Sequence, residues 1–227
     1  LTYSLEEDLT DWTGPRLAHA IRVALSDGHP AMATLLSGDW HPPCDPSDAQ
    51  WAASWLQRFG GLSGLNDMQQ RAFSLPFHHR VGLIEGPPGT GKTHLLAWTL
   101  IALILHASET DKPMRLAVSA LTHQAIDQVL TKVVELVARH HLTFPGVCFK
   151  WGRPVDTLED TLTSVAALTD VTELAEHRYA IVGATGFGLY QLFDSEKGTF
   201  PQAFDWIVFD EASQILVPQA LLSLLYG

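Results

Sequence analysis

Eight consecutive residues, Gly86-Pro87-Pro88-Gly89-Thr90-Gly91-Lys92-Thr93, follow the pattern G-x-x-x-x-G-K-[ST]. A loop of this kind wraps phosphate. Its glycines let successive main-chain N–H groups and a helix N-terminus face an anion at short range. Lys92 then reaches the β and γ phosphates of a nucleoside triphosphate, and the Thr93 hydroxyl is placed to ligate Mg²⁺. A second chemical feature lies 118 positions beyond Lys92, where Trp206-Ile207-Val208-Phe209 runs into Asp210-Glu211. A carboxylate at the end of an apolar strand can hold Mg²⁺, the role expected of Asp210. Its neighbour Glu211 can orient an attacking water and accept its proton. By itself an Asp-Glu pair after a strand is usually a helix-capping surface turn. Its weight comes from the phosphate loop.

These segments need a scaffold. Arg80 to Glu85 reads as a buried strand leading into the loop, and a helix from about Lys92 to His106 leads out of it. Arg115 to Ser119 has strand length. The helix after it carries apolar residues at Ala125, Val129, Val133, Leu136 and Val137. Further buried strands are expected at 146–150, 179–184 and 206–209, and Asn66 is placed to cap a helix through Phe73. Repeated strand-helix order predicts an α/β, doubly wound, mostly parallel sheet. Residues 1–64, rich in Pro, Gly and Trp, form a mainly helical accessory region with a helical pattern from Pro15 to Leu25 and loop signals at Asp27-Gly28 and 41–43. An acidic, Thr-rich, helical-looking insertion spans about 154–177.

The chain has 227 residues, 46% of them hydrophobic and 17% charged, which is ordinary globular composition. Cys44 and Cys148 lie 104 positions apart and show neither disulfide-framework nor zinc spacing. The adjacent pairs His78-His79 and His140-His141 point apart on a helix or strand and make poor joint metal ligands. No apolar run approaches the ~18 residues of a membrane span and no export signal is evident, so the expectation is a cytoplasmic protein without membrane contact. A net charge of −11 argues against coating nucleic acid by bulk electrostatics but permits a local basic groove.

Several pieces together resemble the superfamily 1 helicases of the group containing the nonsense-mediated-decay helicase, senataxin and the Okazaki-fragment nuclease-helicase. Leu65-Asn66-Asp67-Met68-Gln69-Gln70-Arg71-Ala72 resembles their Q motif, in which Gln69 reads the adenine edge. Ser119 to Leu130 resembles motif Ia. Val182-Gly183-Ala184-Thr185-Gly186 resembles a second backbone-contacting segment, and Asp210-Glu211-Ala212-Ser213-Gln214 resembles the signature form of motif II.

The resemblance implies a RecA-like P-loop ATPase domain over 65–227. ATP and Mg²⁺ would be held by Gln69, Gly86, Pro87, Pro88, Gly89, Thr90, Gly91, Lys92, Thr93, Asp210 and Gln214, with Lys92 and Glu211 catalytic. Thr122, His123 and Thr185 would contact nucleic acid. It further implies 5′ to 3′ movement on single-stranded DNA or RNA, and two partners: a second RecA-like domain of the same polypeptide and a fused or associated nuclease domain. In that group a Gly-Asp-x-x-Gln-Leu segment and the arginines of the second RecA-like domain lie beyond motif II and are not within residues 1–227, so hydrolysis by this stretch alone, without an arginine at the γ-phosphate, is expected to be weak. His123-Gln124 and Phe187 depart from the group's usual residues and bear on which nucleic-acid contacts form. The competing expectation is an AAA+ or switch ATPase that remodels protein partners, since GPPGTGKT also occurs there.

Overall fold

The computed structural model describes residues 13–26, 29, 32–33, 35, 45–152, 165–193 and 200–227. The loop signals at 27–28 and 41–43, Cys44, and residues 154–164 of the acidic insertion lie outside them.

Local chemistry sets the helix boundaries. Helix α1 (Gly14–Leu25) has proline in its first turn, where a missing N–H costs nothing. Helix α2 (Pro46–Ser63) is capped by Asp45, which accepts from Ser47 N–H, and it ends at Gly64 in the left-handed conformation. Helix α3 (Asp67–Phe73) starts from a reciprocal capping box between Asn66 and Gln69. Helix α4 (Lys92–Glu109) leaves the glycine-rich loop and is buried nearly all round, with Ala97, Trp98, Leu100, Ile101 and Ile104 fully enclosed.

The strands β1 (Met114–Ser119), β2 (Val147–Lys150), β3 (Ala166–Ala167), β4 (Tyr179–Gly183) and β5 (Trp206–Phe209) form one parallel sheet in the order β3-β2-β4-β1-β5. Helix α5 (His123–Arg139) follows β1, short α6 (Val171–Glu176) precedes β4, α7 (Gly186–Leu192) follows it, and α8 (Val217–Leu224) follows β5. Alternate strand residues feed opposite faces. Leu116, Val118, Cys148 and Ile181 pack with α4 and α5, while Ala117, Phe149, Ala180 and Val182 pack with α7. Helices therefore cover both faces of a RecA-like sheet, as repeated strand-helix order predicted.

The N-terminal helices join these layers at separate places. Ala20 and Ala24 of α1 pack on Tyr190, Leu222 and Leu225. Trp55 of α2 stacks on Phe73 at 4.7 Å and meets Trp98 edge-on at 5.5 Å. No helix among the described residues is long and apolar enough to cross a membrane.

One expected element is absent. Residues 80–85 form no strand: 82–87 carry no regular secondary structure, Leu83 is 86% exposed and Ile84 39%. An apolar run becomes a strand only beside a neighbour with free main-chain groups. Here Gly82 lies against Leu75 of the turn after α3, and the segment does not pair with β5, whose one ladder is to β1 and whose outer edge stays free of it among the described residues.

Candidate functional site

The phosphate loop runs from irregular backbone at Gly86 to the first residue of α4 at Lys92. Gly89 and Gly91 have φ values of 79° and 77°, in the left-handed region that side chains disfavour. A Cβ on Gly91 would also meet Gln69 Nε2 at 2.8 Å. Thr90 Oγ1 donates to Pro87 O at 2.8 Å, closing the turn. Lys92 Nζ folds back over the loop and donates to Gly86 O at 2.6 Å and Pro87 O at 3.2 Å. Pro88 is exposed on the turn's crest. Thr93 follows in the first turn of α4.

Gln69 is brought directly onto this loop, its Nε2 donating to Thr90 O at 2.9 Å. Its Oε1 accepts from Asn66 N–H, also at 2.9 Å. An amide offers two N–H donors and two acceptor positions, so one of each remains for a ligand.

The acidic pair leaves β5. Asp210 is buried, its N–H donates to Ser119 O at 3.0 Å, and its Oδ1 accepts from Glu211 N–H at 3.0 Å. Glu211 is exposed and holds φ 53° and ψ 40°, left-handed geometry that a glutamate adopts only under constraint. Gln214 is exposed in the 3₁₀ turn Ala212–Gln214, its N–H donating to Glu211 O.

Chain direction relates the two halves of the site. Helix α4 ends at Glu109 and β1 begins at Met114, so α4 runs back along β1, against which it packs. Its 18 residues span about 27 Å at 1.5 Å per residue. The 6 residues of β1 span about 20 Å. The start of α4, carrying Lys92 and Thr93, therefore lies towards the carboxyl end of β1, the end at which Ser119 receives Asp210. Among the described residues no hydrogen bond or ion pair joins Lys92 or Thr93 to Asp210 or Glu211.

The residues expected to touch nucleic acid cap helices at the same end of the sheet. Thr122 Oγ1 accepts from Ala125 N–H at 3.2 Å and Thr185 Oγ1 from Gly188 N–H at 3.1 Å. A cleft beside Thr185 is lined by Ser119, Leu121, Thr185, Phe187 and Phe209. His123 stands at the start of α5, its carbonyl accepting from Lys150 Nζ at 3.3 Å.

Sequence reasoning missed three contacts around this end. Lys150, whose side chain is only 1% exposed, pairs with Asp127 of α5. Ser119 and Ser223 share a buried hydroxyl hydrogen bond at 3.0 Å. His94 Nε2 donates to Ser63 O at 2.7 Å. A lysine ending an apolar strand was a visible sign for the first. The other two join residues 104 and 31 positions apart and leave no local pattern.

Residues 64–167 match the family model described as AAA domain. The chain is 28% identical over 147 residues to the DNA replication ATP-dependent helicase/nuclease DNA2 of Saccharomyces cerevisiae, covering 64% of this chain and 9% of that protein. It is 27% identical over 73 residues to an NFX1-type zinc finger-containing protein 1 homolog of Caenorhabditis elegans, covering 32% of this chain and 3% of the relative. The chain thus spans under a tenth of the length of either curated relative. No solved structure matches it.

Proposed function

Because this chain carries a superfamily 1B-like helicase ATPase domain, we propose that it binds ATP with Mg²⁺ and drives 5′ to 3′ movement along single-stranded nucleic acid, DNA in the first instance. The observation that most supports this reading is the shared end of the sheet. Helix α4 runs back along β1 to bring the phosphate loop there, and Ser119 receives Asp210 at the same end.

In this reading the loop amides from Gly86 to Thr93 and the Lys92 ammonium bind the phosphates, and Gln69 offers its free donor and acceptor to adenine. The oxygen donors of Thr93 and Asp210 suit Mg²⁺, which favours one or two carboxylates beside phosphate and water and when bound neutralises phosphate charge. Glu211 orients water towards the γ-phosphate and takes its proton, with Gln214 beside the nucleotide. Thr122, His123 and Thr185 line the nucleic-acid side, where main-chain and hydroxyl groups position a strand without reading sequence.

We assign residues 65–227 to the ATPase domain, interrupted by the insertion at about 154–177, and 1–64 to an accessory region. A second RecA-like domain and a nuclease domain are the partners this reading adds. The yeast relative's name, which couples helicase to nuclease, is the basis for the latter.

The test is ATP turnover by the intact protein with and without single-stranded DNA or RNA. Stimulation supports the helicase reading. Turnover indifferent to either strand favours instead an ATPase that remodels protein partners, the rival reading left open by the phosphate-loop sequence alone.

A further inference from the structure

Helix α2 lies wholly outside the matched segment 64–167, yet its last residue touches the phosphate-loop helix. His94, in the first turn of α4, donates from Nε2 to the main-chain carbonyl of Ser63 at 2.7 Å. The imidazole packs edge-on to Trp98 one turn along α4, with ring centroids 6.4 Å apart and planes at 90°. Trp98 is fully buried and meets Trp55 of α2. The donor is thus fixed from behind.

Only Gly64 and Leu65 separate Ser63 from Asn66, the cap of α3. Gly64 turns the chain in left-handed geometry, at φ 65°, and Leu65 is buried. Gln70 Nε2 closes the turn by donating to Leu65 O at 2.9 Å. Asn66 in turn grips Gln69 through both hydrogen bonds of the capping box, each 2.9 Å. Gln69 completes a ring by donating to Thr90 O. The turn that carries Gln69 is therefore held at two points on one rigid unit, by Thr90 within the loop and by His94 one helical turn beyond it.

We propose that His94 is a positioning residue for nucleobase selection: through Ser63 it fixes the turn that presents the unused donor and acceptor of Gln69. This rests on the nucleotide-binding reading given above. The geometry separates two jobs. Phosphate binding depends on loop amides and Lys92, which the Ser63 contact does not touch, whereas recognition of a base edge needs an amide held in one orientation. A Gln69 free to swing loses its distinction between adenine, which presents a donor beside an acceptor, and guanine, which presents acceptors at O6 and N7. Helix α2 thereby becomes part of the nucleotide site without contacting nucleotide.

The experiment measures binding of Mg-ATP, Mg-GTP and Mg-tripolyphosphate to the full chain, its His94→Ala, His94→Phe and His94→Gln variants, Gln69→Ala, and the double variant His94→Ala/Gln69→Ala. His94→Phe keeps a ring against Trp98 without the donor, so the comparison stands if the alanine variant does not fold. His94→Gln restores an N–H at a similar reach. The expected result is an ATP-over-GTP preference reduced about tenfold in the Ala and Phe variants, the scale of one well-oriented hydrogen bond. Tripolyphosphate affinity stays within about twofold, and the glutamine variant recovers the preference. The double variant discriminates no worse than Gln69→Ala, since His94 acts through that residue. An unchanged ATP:GTP ratio in His94→Phe, or equal losses for all three ligands, overturns the proposal while leaving the nucleotide-binding reading of the wild-type chain in place. Failure of the wild-type chain to bind tripolyphosphate or either nucleotide overturns the underlying reading instead.

Discussion

The main-chain N–H of Asp210 donates to the carbonyl of Ser119 at 3.0 Å, fixing the acidic pair against the last residue of the strand that leads to Thr122. Ser119 is held in turn by its hydroxyl contact with Ser223 of α8, both residues being buried. Ser223→Ala leaves the Ser119 hydroxyl without that partner in a dry place. A loss of about 1–3 kcal/mol of stability is expected. Denaturant unfolding checks it, with Ser119→Ala/Ser223→Ala destabilised less than the sum of the single variants.

Glu211 carries both a proposed chemical role and backbone strain. Glu211→Gln is expected to retain Mg-ATP binding while turnover by the intact protein falls by about 10²–10⁴. Glu211→Gly should lose turnover equally but gain about 1 kcal/mol of stability, because glycine accepts φ 53° without a Cβ clash. Activity and thermal unfolding measured on the two variants separate the effects. Equal stability in both would show that the left-handed geometry carries no strain.

The pair formed by Lys150 and Asp127 is asymmetric: the lysine side chain is 1% exposed and the aspartate 27%. Removing the aspartate strands a buried cation, whereas removing the lysine leaves a carboxylate that water can reach. Asp127→Ala should therefore cost about 3–5 kcal/mol and Lys150→Met clearly less. The order of the two unfolding midpoints is the readout.

A pH dependence follows from the seam between α2 and α4. His106 Nε2 lies 3.2 Å from Asp48 Oδ1. Burial nevertheless lowers the imidazole pKa below its ordinary 6.5, outweighing the attraction of Asp48, with Lys112 acting in the same direction as burial and Glu109 and Asp45 opposing it. The folded state thus prefers the neutral ring. This contribution to stability is fully present above pH 6.5 and is lost as pH falls from there through the folded pKa. Thermal unfolding at pH 7.5 and 5 should show a steeper decline in wild type than in His106→Phe; parallel declines would remove His106 from the explanation.

Much of this architecture was legible locally. The cap at Asn66, the apolar spacing of Ala125 to Val137 and the strand at 206–209 each contain their own structural signal, and each forms as expected. Residues 80–85 did not, because a strand depends on a neighbour that apolar composition does not reveal. The same limit applies to the site. The phosphate loop was readable from residue types and spacing and Gln69 was singled out by resemblance, whereas the contacts of His94 with Ser63 and of Lys150 with Asp127 depend on which elements the fold makes adjacent.

The central claim is that the phosphate loop and Asp210 serve one Mg-triphosphate. Calorimetric titration of ATP into wild type, Lys92→Ala and Asp210→Ala, each with and without Mg²⁺, tests it most directly. Lys92→Ala is expected to lose ATP binding under both conditions, while Asp210→Ala binds metal-free ATP like wild type and loses the gain that Mg²⁺ confers. An Asp210→Ala variant with a wild-type response to Mg²⁺ would contradict it.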